Sequence, residues 1–168
     1  MMEEPIEFSR PLRVAGVPRA GHRLALSATA PERAALAARL GLLALHDFSA
    51  DLALSPDSLG GVEVRGSLSA EVEQACVVTM EPVRQSVREE FAFRIIAEGQ
   101  EPSESPDAED EVETVAGHAE LGEVLAQLLS LALDPYPRKE GAELPPEASD
   151  PEASPFGALL QLRQAKKE

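Results

Sequence analysis

The chain has 168 residues, 43% of them hydrophobic, and a formal net charge of −15. That is enough apolar material for one domain and too little length for two large ones. The charge opposes generic nucleic-acid binding, the single cysteine excludes an internal disulfide and fits a reducing compartment, and no apolar run approaches the ~20 residues of a membrane span.

The N-terminal "MMEEPIEF" lacks the charged-then-apolar pattern of a leader, so a cytoplasmic protein without membrane contact is expected. "PIEFSRPLRV" reads as a short edge strand ending near Pro11, and "RLALSA" from Arg23 as a second extended piece. "TAPERAALAARLG" is a punctuated helix. Thr29 is its N-cap, Pro31 and Glu32 suit the first turn, and Gly41 stops it.

The middle of the chain alternates. "ALHDFSADLAL" places Phe48, Ala50, Leu52 and Leu54 on one side, and "PDSLGG" supplies a turn. In "VEVRGSLSAEVEQACVV", Val62, Val64, Leu68, Ala70, Val72, Cys76 and Val78 share one parity, and charged or polar residues hold the other. Such a long period of two predicts a strand with one buried face, bent or bulged at Gly66. After Glu81 and Pro82, "SVREEFAFRII" alternates again, completing an antiparallel meander. "AEGQEPSESPDAEDEVETVAGHAE" contains no Lys or Arg and predicts a mobile acidic loop near residues 98–116. Leu121, Val124, Leu125, Leu128 and Leu129 then form the stripe of a buried helix. The expected domain covers residues 1–137. Residues 138–168 are expected to form an extended tail ending in a short amphipathic helix over "PFGALLQLRQAKKE". The fold class is α+β: an antiparallel, bent or barrel-like sheet with the Leu-rich helix packed on it.

The motifs of chemistry are missing. His22, His46 and His118 are scattered, so Cys76 has no base beside it and no further metal ligand at short spacing. Its parity predicts a buried, inert thiol. The expectation is a non-enzymatic protein without cofactor or metal. Charge offers two contact surfaces. Six arginines against four glutamates through Leu40 give a local +2, and Arg10, Arg13, Arg19 and Arg23 are the candidate RNA contacts. Their competing role is to pair with the protein's own carboxylates. Glu109, Asp110, Glu111 and Glu113 are the candidate contacts for a basic partner.

Several pieces in order resemble the YceD-like large ribosomal RNA subunit accumulation proteins of bacteria. They are Cys76 at a strand end, Glu81 and Pro82 in the turn, "FAF", the acidic loop, "LALDPYPR" and "SPFGALLQLRQ". Many members of that family carry Cys-x-x-Cys at the strand end, and this chain has Cys76 and Thr79. The resemblance implies a role in large-subunit ribosomal RNA accumulation and large-subunit assembly. The partners it implies are that rRNA or its precursor particle. Two routes follow: capture of a basic ribosomal protein by the acidic loop, or direct rRNA binding by the arginine loop.

Overall fold

A computed structural model describes residues 6–105 and 109–144. The expected amphipathic helix near the C-terminus lies outside the described residues. The elements follow the alternation and punctuation of the sequence. β1 (Pro11–Arg13) and β2 (His22–Ser27) precede α1 (Ala30–Leu40). β3 (Ala44–Pro56), β4 (Val62–Ala75) and β5 (Pro82–Ile95) form the meander, and β6 (Glu111–Val112), β7 (His118–Glu120) and α2 (Leu121–Ala132) close the described fold.

The main sheet has the order β2-β3-β4-β5-β6 and curls into a half-barrel. The fold is α+β as expected, but the sheet is mixed. β2 to β5 pair antiparallel, whereas β6 joins β5 in parallel at Arg94 and Ile95. A two-residue strand leaves no alternation to read. β1 also departs from expectation. Pro11 begins the strand, a place where its missing N–H costs no ladder bond. β1 pairs with β7, more than a hundred residues away in sequence, as a separate two-stranded ribbon.

The inner face is the parity read from sequence: Phe48, Ala50, Leu52 and Leu54 on β3, Val62, Val64, Leu68, Ala70 and Val72 on β4, Phe93 and Ile95 on β5, all buried. α2 covers this face with Leu121, Leu125, Ala126 and Leu129, and α1 adds Leu36 and Ala37. Burying a large aliphatic or aromatic side chain stabilises by about 1.5–3 kcal/mol. Gly66 sits where the backbone of β3 at Asp51 and the Phe91 ring leave no room for a Cβ, and the register of β4 runs through it without a bulge. The bulge itself lies in β3, between Leu45 and Asp47.

α1 starts and stops as its residues dictate. The Glu32 carboxylate reaches back to accept from the Thr29 N–H (2.7 Å) and hydroxyl (3.0 Å), and Gly41 ends the helix at φ 66°. Gly122, in the first turn of α2, lies against the Phe8 carbonyl, where any Cβ would collide. This close approach lets Phe8 enter the core beside Phe48, with ring centroids 5.5 Å apart.

Candidate functional site

The four candidate arginines do not converge. Arg10 is consumed by the fold. Its guanidinium donates to both Glu32 oxygens (2.7 and 2.9 Å) and to the Ser9 and Ser27 carbonyls (2.7 and 2.9 Å), and it lies 4.4 Å from the Phe8 ring centroid. The hydrogen bonds from Arg10 and from the Thr29 N–H hold the Glu32 carboxyl down at about 2. Arg13, Arg19 and Arg23 are exposed, and none makes an ion pair among the described residues. Arg13 lines an open groove with Asp57, Glu98 and His118. Arg23 lines another on the outer face of the sheet with Asp51, Arg65 and Glu90.

The acidic segment divides in the same way. Glu111 is structural: Arg94 Nη1 donates to it at 3.2 Å, and it accepts from the Ser103 N–H at 2.6 Å. Arg94 also donates through Nε to Asp57 at 2.6 Å, and Asp57 accepts from the N–H groups of Leu59 (2.7 Å) and Gly61 (2.8 Å). Burial alone would raise the Asp57 pKa, but Arg94 and these two N–H groups together bring it below its ordinary value. Thr114 adds a second fastening, its hydroxyl donating to the Ile96 carbonyl at 2.5 Å. Glu109, Asp110 and Glu113 remain exposed, as do Glu98, Glu101 and Glu104. Glu109 makes only a loose pair with Arg65 at 3.7 Å. The segment after β5 thus leaves six carboxylates exposed, and no Lys or Arg occurs between Arg94 and Arg138.

The third place of interest is the β4–β5 hairpin tip. β4 ends at Ala75, so Val78 does not continue the alternation and instead lies in the turn. Cys76 is 0% exposed, as its parity requires, yet its surroundings are more than aliphatic. The sulfur accepts from the N–H groups of Val78 (3.4 Å), Thr79 (3.5 Å) and Lys139 (3.4 Å). The Lys139 N–H foremost, with the Thr79 hydroxyl and the Thr79 and Val78 N–H groups, draws the thiol down to about 6 against the opposing effect of burial. Lys139 belongs to the "PYPRK" loop after α2, which docks on the hairpin. The Val77 N–H donates to the Pro137 carbonyl (2.9 Å), and Gln74 Nε2 to the Asp134 carbonyl (3.0 Å). Met80, at φ 61°, and Tyr136 stay 72% exposed on either side of this junction. Period-two reading could not find this contact, because it joins residues sixty positions apart through backbone groups.

Among the described residues no cluster of His, Cys, Asp and Glu has the geometry of a metal site, and no helix is long and apolar enough to cross a membrane. The model of the family described as large ribosomal RNA subunit accumulation protein YceD matches residues 64–163. That span takes in the β4–β5 hairpin, the acidic segment, α2 and the docking loop, and leaves the arginine-bearing segment outside. No curated protein and no solved structure matches the chain. With well over half its length matched, the chain belongs to the YceD family of large ribosomal RNA subunit accumulation proteins.

Proposed function

We infer that the chain, as a member of a family described by large ribosomal RNA subunit accumulation, takes part in the accumulation of that RNA. We propose that it acts without catalysis, in the cytoplasm, by taking up a basic ribosomal protein and holding it until rRNA displaces it. The observation that carries this reading is the exposure of six carboxylates, Glu98, Glu101, Glu104, Glu109, Asp110 and Glu113, in one stretch of sequence without cations. Glu111 and Thr114 anchor this stretch to the sheet, so part of its ordering cost is met before a partner arrives. Opposite charge speeds encounter and is screened by salt. The test is affinity capture from lysate at low and high salt. A basic ribosomal protein should be retained at low salt and lost from a variant with these six residues changed to Gln or Asn. Its absence from the wild-type eluate would reject the reading.

Direct rRNA binding through the arginine segment is the second reading, favoured by the exposure of Arg13, Arg19 and Arg23. Arg10 contributes to it only if it leaves Glu32. Cross-linking in cells should then place rRNA on this segment. Unchanged cross-links after R13A/R19A/R23A would dismiss it.

A further inference from the structure

Most of β5 presents an open stretch of sheet edge. Among the described residues, β6 covers only Arg94 and Ile95, and residues 82–92 have no strand beside them on that side. The direction of the free groups follows from β6. The Arg94 N–H donates to the Asp110 carbonyl (2.8 Å) and the Ile96 N–H to the Val112 carbonyl (3.0 Å). Backbone groups alternate sides along a strand, so the N–H and C=O groups of Arg84, Ser86, Arg88, Glu90 and Ala92 also face outward. All five residues are exposed.

We propose that this edge pairs with the same edge of a second copy of the chain, antiparallel about a two-fold axis at Val87. In that register Arg84 faces Glu90, Ser86 faces Arg88, Gln85 faces Glu89, and Val87 faces its own counterpart. Symmetry makes the Arg84–Glu90 charge pair occur twice. The half-buried Val83 and Phe91 also face one another, continuing the inner face across the join. The neighbouring registers are disfavoured. An axis at Arg88 opposes Arg88 to itself, and an axis at Ser86 opposes Arg84 to Arg88. An odd shift would set inner side chains against outer ones.

The ends agree with the same axis. Pro82, which has no N–H, meets Ala92, and the second copy turns away at its hairpin tip where the pairing of β5 with β6 starts at Arg94. Arg84 is available for the pairing, since its present partner Glu71 stands 3.8 Å away. Charged edges ordinarily guard against pairing, but here Arg84 and Glu90 stand where each meets its opposite charge across the axis.

Sedimentation equilibrium of the full chain should show a dimer. R84E and E90R each create like-charge pairs at both ends and should weaken the dimer about tenfold or more. R84E/E90R restores the pairs and should restore the dimer. V87C should form an intermolecular disulfide on mild oxidation, because opposed residues of a non-hydrogen-bonded pair lie about 4.5 Å apart at Cα. Circular dichroism confirms that each variant keeps its sheet. A monomer at every concentration would overturn the proposal. So would a dimer indifferent to the single charge changes, a double variant that fails to recover, or V87C without a cross-link.

Discussion

The arginine segment near the N-terminus and the acidic segment after β5 are the two strongest charge features of the sequence, and the fold treats them alike. Each gives one residue to the architecture: Arg10 to Glu32, and Glu111 to Arg94. Each leaves its other candidates in solvent. They differ in what holds them. The arginines are spread over β1, a turn and β2, and line separate grooves. The carboxylates fall in one stretch of chain, which is fastened to the sheet by the Asp57–Arg94–Glu111 network and by Thr114. A local excess of charge in sequence therefore overstates a binding surface by the residues that tertiary structure claims, and it says nothing of convergence.

The sharpest way to break this comparison is R94M. Asp57 and Glu111 would be left as unpaired carboxylates in a largely enclosed site. The expected loss is about 2–3 kcal/mol in urea unfolding, below the full cost of a deeply buried pair because water still reaches the network. Capture of a basic protein should fall with it, since the acidic segment loses its anchor. A stability change under about 0.5 kcal/mol would show that the acidic segment is held by something other than Arg94.

A smaller effect is expected on the arginine side. The Glu32 pKa is lowered to about 2 by Arg10 and the Thr29 N–H, so its contribution is present above the ordinary carboxylate range. It is lost as pH falls through that range toward about 2. E32Q should flatten that part of the acid-unfolding profile and cost about 1 kcal/mol at neutral pH, given solvent screening of the pair. An unchanged acid limb would mean that Arg10 is not committed to Glu32 in solution.

The smallest effect sharpens the contrast. R13A/R19A/R23A should alter stability by less than about 0.5 kcal/mol, because exposed side chains without ion pairs support no packing. Any larger shift in thermal unfolding would return these residues to the architecture.

Much of the fold was legible where one physical rule governs a long run. Alternation over β3, β4 and β5 named the inner face residue by residue, and Thr29, Glu32 and Gly41 framed α1. The stripe of α2 was equally plain. What stayed hidden depends on distant partners. β6 is too short to carry a period, β1 finds β7 across most of the chain, and the cradle around the Cys76 sulfur is built from backbone N–H groups, one of them at Lys139. The same limit applied to the site. Arg10 and Arg13 look equivalent in sequence, and only the position of Glu32 separates them.

The seating of Phe8 and Arg10 against Gly122 and Glu120 has a bearing on biosynthesis. Phe8 needs the start of α2 as its wall, the Leu121 N–H donates to the Arg10 carbonyl at 3.1 Å, and β1 has no partner until β7 exists. Residues 8–13 thus leave the ribosome well before the partners that seat them, and are among the last to reach their final place. Closure of the N-terminal arm waits for the helix, so it belongs to the slow, non-local phase of folding. A nascent chain cut short before α2 would keep Phe8 uncovered, a hydrophobic flag by which unfinished copies differ from completed ones.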